Sequence, residues 1–86
     1  MSQRTVVIAS RVGLHARPAS LFTQAVAASG ASVTIGKPGQ PAMDASSILM
    51  VMALGVGHGE EVVLASEDET VLDELVALLE TDLDAE

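Results

Sequence analysis

The order of apolar and polar residues predicts four strands and three helices. Residues 5–9 are β-branched and apolar, which is typical of a buried strand, and residues 60–65 are predicted to form another strand. Residues 32–35 alternate polar and apolar side chains, as a half-buried strand does. The turn-rich segment 36–41 then predicts a hairpin with a short partner strand at 42–44.

Three segments carry the spacing of amphipathic helices. Residues 16–29 have Pro18 in the first turn, where its missing N–H is tolerated, and a narrow apolar stripe of Phe22, Ala25, Val26 and Ser29. A compact helix over 48–54 starts after Ser46 or Ser47 and ends before Gly55. The pattern at residues 66–69 predicts reciprocal capping of a last helix, whose stripe is Leu72, Leu75, Val76, Leu79 and Leu83.

This order of elements predicts an α+β fold of two layers, with the helices on one face of a short sheet. The strand order does not follow from these patterns. We expect one domain over residues 1–86, because no linker, repeat or low-complexity segment interrupts the chain.

Composition narrows the function classes. The chain has no cysteine, which excludes a disulfide framework and a thiolate zinc site and fits a reducing cytoplasm. Residues 1–59 carry four basic residues against one aspartate, whereas residues 60–86 carry eleven carboxylates and no base. This charge and a single aromatic residue argue against nucleic-acid binding, and no apolar run is long enough to enter a membrane. We therefore expect a cytoplasmic monomer without metal or cofactor that meets protein partners.

The segment Gly-Leu-His-Ala-Arg-Pro at residues 13–18 combines three features of a phosphoryl-acceptor site. A glycine allows a tight turn, and His15 then lies at the start of a helix, whose free N–H groups attract phosphate. Arg17 lies one turn in and can add charge-assisted hydrogen bonds to phosphoryl oxygens. The alternative is that His15 only caps the helix and Arg17 is a solvated charge, and the spacing alone leaves both open.

This motif resembles the active-site signature of the HPr family, the phosphocarriers of the bacterial sugar phosphotransferase system. A second segment, Ser-Ile-Leu-Met-Val-Met-Ala-Leu-Gly at residues 47–55, is similar to the family's Ser-Ile-x-x-Val-Met-x-Leu-Gly signature. The resemblance covers essentially the whole chain. It implies an open-faced β-sandwich in which three helices cover one face of a four-stranded antiparallel sheet, in the order βαββαβα.

The resemblance also implies the roles of the motif residues. Enzyme I, charged by phosphoenolpyruvate, would phosphorylate His15 on Nδ1, and the phosphoryl group would then pass to a histidine of a sugar-specific enzyme IIA. Arg17 would stabilise the group in transfer, and the N–H groups of Ala16 and Arg17 would hold its oxygens. The protein would be a carrier that is consumed and regenerated, and not an enzyme with turnover of its own.

The family's partner surface is an exposed apolar patch beside the histidine. It maps here to Leu14, Ser20, Leu21, Gln24, Leu49, Met50 and Met52. For Met52 a core position is an equal alternative, and Leu21 lies off the apolar stripe, so its exposure would need a reason such as docking.

Ser47 corresponds to the serine that a dedicated kinase phosphorylates in Gram-positive members, with Ser46 the second choice. Such a modification would also bring in a transcriptional regulator as partner. We favour the simpler interpretation that Ser46 or Ser47 serves as a helix N-cap. His58, between two glycines, is predicted to be a surface loop residue.

Three other functions compete with this prediction. Related phosphocarriers serve nitrogen-related and dihydroxyacetone-related phosphorelays with the same chemistry and other partners. A serine-linked pantetheine carrier is suggested by the acidity and by Asp44-Ala45-Ser46 before a helix, but such domains lack the strands predicted here. A small ligand-binding module would need a convergent polar pocket, which no segment indicates.

Overall fold

The computed structural model describes residues 2–81 and has the predicted order of elements. The strands are β1 (Ser2–Val7), β2 (Val33–Gly36), β3 (Met43–Asp44) and β4 (Glu61–Ser66). The helices are α1 (Ala16–Ser29), α2 (Ile48–Ala53) and α3 (Glu69–Leu79). Within the described residues, no helix has the length and apolar character needed to cross a membrane.

The four strands form one antiparallel sheet in the order β1-β4-β2-β3. The strand β4 is central: Val6 on β1 lies opposite Val62, and Ile35 on β2 lies opposite Leu64. Because successive side chains of a strand point to opposite faces, these four residues point to one face and are buried there. The order brings the last strand between the first two, which a prediction from local patterns cannot give.

The three helices cover this buried face. Helix α1 packs against α2 and α3, and α3 also contacts β1 and β4. Phe22 and Val26 of α1 and Leu72 and Leu75 of α3 are almost fully buried in the core. On the opposite face of the sheet no helix packs among residues 2–81, and Val7 is 50% exposed there. The two-layer α+β prediction is therefore confirmed.

The first strand was predicted three residues too late. It ends at Val7 and not at Ala9, because the N–H groups that follow bond to residues that are not part of β4. The Ile8 N–H donates to the carbonyl of Glu60, and the Ala9 N–H donates to the carbonyl of Leu79. Apolar composition alone cannot separate a strand from the buried chain that follows it.

The predicted cap of α3 was also wrong. Asp68 is the N-cap, and its carboxylate accepts a hydrogen bond from the Val71 N–H at 3.2 Å. Ser66 is still the last residue of β4, and its hydroxyl accepts the Asp68 N–H. The stripe residues Leu72, Leu75 and Leu79 are buried, Val76 is half-buried, and Leu83 lies outside the described residues.

Candidate functional site

His15 occupies the N-cap position of α1, with an exposed side chain. Its backbone is extended, and its side chain makes no capping hydrogen bond. The competing interpretation that His15 simply caps the helix therefore lacks the side-chain hydrogen bond that it requires. The imidazole is therefore available to react at the N-terminus of α1.

The N-terminal end of α1 keeps backbone donors facing outward. The first helical hydrogen bond runs from the Ala19 N–H to the His15 carbonyl, at 3.4 Å. The N–H groups of Ala16 and Arg17 precede it, and Pro18 has no N–H. Two adjacent N–H groups at a helix N-terminus can hold the oxygens of an anion.

Ala16 has a backbone φ of 47°, in the left-handed region. It is the one non-glycine residue with a positive φ in residues 2–81. For an L-residue this conformation costs about 1–2 kcal/mol, and such strain concentrates at functional sites. The strained residue lies directly after His15 and carries one of the two N–H groups that are predicted to donate hydrogen bonds to the phosphoryl oxygens.

Arg17 is exposed and forms no ion pair within the part of the chain that the structure describes. The cation is therefore not neutralised by a neighbouring carboxylate, in contrast to Arg4, which contacts Glu69 and Asp73. An uncommitted guanidinium beside two N–H groups can contribute charge-assisted hydrogen bonds to a phosphoryl group.

The loop before His15 is fixed by backbone contacts to the segment after α2. The Leu14 N–H donates to the carbonyl of Val56 at 3.0 Å, and the Gly13 N–H donates to Ser10 at 3.0 Å. The Leu14 side chain is 1% exposed and belongs to the core. Its assignment to an exposed docking patch was wrong, since this side chain anchors the loop instead of facing a partner.

An exposed apolar surface does lie on α2, which packs against α1. Leu49 is 77% exposed and Met50 is 42% exposed. Met52 is half-buried and packs against the core, and its role in docking stays a prediction. We call the exposed residues Ile48, Leu49 and Met50 the α2 patch.

The predicted polar members of the partner surface lie on α1. Gln24 is exposed and its side-chain amide donates to the Ser20 hydroxyl at 2.9 Å, one turn away. Leu21 is half-buried, so part of its surface is accessible beside them. The structure thus brings Ser20, Leu21 and Gln24 to one helix, adjacent to the helix that carries the α2 patch.

Two exposed apolar residues were not predicted as part of the surface. Ile48 is 38% exposed and Val12 is 50% exposed. Ile48 was assigned only to the helix, and Val12 was not singled out. The signal that could have identified Val12 is its place between a charged residue and Gly13, in a turn that leaves little room for burial.

Ser47 is the N-cap of α2, and its hydroxyl accepts the Met50 N–H at 3.4 Å. The capping interpretation is confirmed. Ser46 has another contact, because both its N–H and its hydroxyl donate to one carboxylate oxygen of Asp44. These two bonds lower the pKa of Asp44 below its ordinary value, first through the backbone N–H.

The other candidate features carry no comparable chemistry. His58 is exposed in the loop before β4, as predicted. Within residues 2–81 no group of histidines and carboxylates could hold a metal ion. A cavity of about 720 Å³ opens at the start of α3 and is lined by Ala31, Ser32 and residues 66–70. It shares no residue with the His15 motif, which is an exposed site and needs no pocket.

The chain resembles known proteins over its whole described length. Residues 2–81 match the family profile PTS-HPr, described as the PTS HPr component phosphorylation site. The phosphocarrier protein HPr of Streptomyces coelicolor is 48% identical over 69 residues, which is 80% of this chain and 74% of that protein. The phosphocarrier protein HPr of Haloferax volcanii is 41% identical, over 92% of this chain and 93% of its own length.

A solved structure agrees with these sequence relatives. The crystal structure of HPr-C-His from Thermoanaerobacter tengcongensis superposes with a TM-score of 0.89 and 35% identity. The match covers 100% of this chain and 99% of that one. The open sheet with three helices is thus shared with a phosphocarrier of the same length.

Proposed function

Since the chain belongs to the HPr family of phosphocarriers of the phosphotransferase system, we propose that His15 carries the phosphoryl group. Phospho-enzyme I would donate the group to Nδ1, and enzyme IIA proteins would accept it during sugar uptake. The observation that carries this proposal is the position of an exposed, uncapped histidine at the open N-terminus of α1.

Phosphoryl transfer to His15 requires that the reacting atoms are positioned and that the negative charge on the phosphoryl oxygens is stabilised. The Nδ1 lone pair forms a new N–P bond while the bond between phosphorus and the donor breaks, and the donor keeps that electron pair. The N–H groups of Ala16 and Arg17 and the guanidinium of Arg17 stabilise the negative charge on the phosphoryl oxygens. Because the phosphoryl group arrives already activated, no further catalytic group is required.

The same surface must serve donor and acceptor in turn. The α2 patch and the accessible side chains of α1 support docking next to His15, through apolar contact more than through charge. We propose that the chain acts as a cytoplasmic single-domain monomer, so that His15 and the α2 patch are free for each partner. For Ser47 we propose capping as its role, because its hydroxyl is bound to the Met50 N–H.

Intact-mass spectrometry after incubation with phosphoenolpyruvate and a bacterial enzyme I tests the phosphorylation site. We expect one phosphoryl group that is lost in acid and stable in base, absent from His15→Ala and present in His58→Ala. His58→Ala is the matched control, because it removes the other exposed histidine. Phosphorylation of a folded His15→Ala variant would contradict the proposal.

A second measurement separates the sugar system from the related phosphorelays. Phosphorylated protein is mixed with enzyme IIA of the sugar type or with an acceptor of a nitrogen-related or dihydroxyacetone-related relay. We expect loss of the phosphoryl group to the sugar-type acceptor. Transfer only to another class would keep His15 as the carrier residue and reassign the pathway.

A further inference from the structure

One peptide unit connects Glu60 with the residue before His15. The carbonyl of Val56 accepts the Leu14 N–H at 3.0 Å. The N–H of Gly57 belongs to the same peptide plane and donates to Oε2 of Glu60 in a short hydrogen bond. Because the peptide bond is planar and trans, its C=O and N–H point in opposite directions. The Glu60 carboxylate therefore binds the N–H of the peptide unit whose carbonyl binds the Leu14 N–H.

Glu60 also closes the turn that contains this plane. Its own N–H donates to the Gly57 carbonyl at 3.2 Å, so backbone and side chain of Glu60 both bind Gly57. The turn is joined to the end of β1 by two more bonds, from Gly59 N–H to the Ile8 carbonyl and from Ile8 N–H to the Glu60 carbonyl, each 2.9 Å. The orientation of the Val56–Gly57 peptide is thus fixed from several sides.

The fit between this turn and the His15 loop is close. A Cβ atom on Gly13 would lie 2.2 Å from the Val56 carbonyl oxygen and 2.7 Å from Cα of Gly57. A rotation of the Val56–Gly57 peptide would therefore change its contact with Gly13 and the bond to Leu14 together. The movement would reach His15, the next residue in the chain.

We propose that Glu60 is a positioning residue for His15, acting through the Val56–Gly57 peptide and the Leu14 N–H. The inference rests on the proposed function of His15 and extends it to a carboxylate four residues along the chain from Val56. Glu60 has no contact with the reacting atoms in this role. It sets the orientation of the backbone from which the imidazole and the first N–H groups of α1 project.

The charges around Glu60 keep it in the form that this role needs. The Gly57 N–H, and after it the ammonium of Lys37 at 3.7 Å, lower the pKa of Glu60 below its ordinary value. A carboxylate polarises the peptide that donates to it, which strengthens the carbonyl on the other side as an acceptor. The other titratable neighbours along the chain are His58 in the turn and Glu61 in β4, and both are exposed.

Amide NMR tests the connection without any phosphorylation. In ¹⁵N-labelled wild-type protein, we expect the Gly57 and Leu14 amide signals to shift together as acid protonates Glu60, with a midpoint below the ordinary glutamate range. Glu60→Gln should remove this shared transition. Glu61→Gln is the matched control, because it removes the adjacent exposed carboxylate, and it should leave the transition in place.

Phosphoryl transfer tests the consequence for His15. With enzyme I in limiting amount, Glu60→Ala should lower kcat about tenfold with little change in KM, because misplacing a reacting group slows the chemical step and the α2 patch is untouched. Glu60→Gln keeps an acceptor oxygen for the Gly57 N–H and should lose less. Glu61→Gln should behave as wild type.

Each outcome decides between the inferences. A Leu14 amide that does not follow Glu60, or a folded Glu60→Ala variant with wild-type kcat, would overturn the positioning role. A loss confined to KM would overturn it as well, because it would place Glu60 in docking. If wild-type protein took up no phosphoryl group, the proposed function would fail, while the amide titration would still decide whether Glu60 holds Leu14.

Discussion

Helices α1 and α3 begin in opposite ways. At α3 the Asp68 carboxylate accepts the Val71 N–H, and an acidic residue, Glu69, occupies the first turn. At α1 the N-cap is His15, whose side chain makes no capping bond, and no acidic residue lies in the first turn. At α3 a side-chain cap thus satisfies one N-terminal donor, whereas at α1 no side-chain cap does so and the donors can bind an anion.

The N-terminal end of α1 lacks the stabilisation that a capping side chain provides. A capping side chain contributes about 0.5–2 kcal/mol, and the positive φ of Ala16 adds strain at the same place. The rest of the fold must hold this end in position. The buried Leu14 side chain and the bond from Leu14 to Val56 perform that task.

The largest expected effect is the loss of this support in Gly13→Ala. Gly13 has a φ of 72°, and an added Cβ would lie 2.2 Å from the Val56 oxygen. Strain and overlap together should lower the free energy of unfolding by about 2–4 kcal/mol and slow phosphorylation of His15. Urea unfolding followed by circular dichroism measures the first effect.

Gly39→Ala is the matched control for Gly13→Ala. Gly39 has a φ of 78°, but no atom lies within 4 Å of an added Cβ. It should lose only the conformational term, about 1 kcal/mol, and keep its rate of phosphorylation. Equal destabilisation in the two variants would show that the contact with the turn after α2 does not support the His15 loop.

Two substitutions with an intermediate expected effect compare the starts of α3 and α1 directly. Asp68→Ala removes the cap of α3 and should lower the free energy of unfolding by about 1 kcal/mol, while phosphorylation continues. His15→Ala removes no capping bond and should stay within about 0.5 kcal/mol of wild type, while phosphorylation stops. Thermal unfolding of both variants measures the difference. A His15→Ala variant as destabilised as Asp68→Ala would remove the contrast between the two ends.

Much of this site could be predicted from the sequence, because the residues that identify it lie a few positions apart. Pro18 in the first turn and the motif around His15 predicted the start of α1, and the hydroxyls of Ser46 and Ser47 predicted a cap for α2, which Ser47 forms. Leu49 and Met50 of the α2 patch followed from the resemblance of the second motif, whereas Ile48 did not. These features depend on residues a few positions apart, and pattern and resemblance both describe that range.

Apart from the cap of α3, the errors lie where distant segments meet. Leu14 was assigned to the surface, but the turn after α2 and the core enclose it. β1 ended before Ala9, whose N–H bonds to the carbonyl of Leu79 at the end of α3 and not to β4. The contact of Glu60 with Gly57 lies within one turn, yet its significance depends on Leu14 from another segment. No local pattern contains these pairings.

The smallest effect concerns the segment before α2, where the Asp44 carboxylate accepts two hydrogen bonds from Ser46. The start of α1 has no such carboxylate. The pKa of Asp44 is lowered by the N–H and hydroxyl of Ser46, so the unfolded chain takes up the proton first. The stability from these bonds is complete above the ordinary aspartate range and is lost as the pH falls below about 4, through the lower folded pKa. Asp44→Asn should therefore be less stable than wild type at neutral pH and approach it in acid. Urea midpoints at neutral pH and at about pH 3 measure this change. A constant difference between the two proteins would mean that the charge of Asp44 contributes nothing at this helix entry.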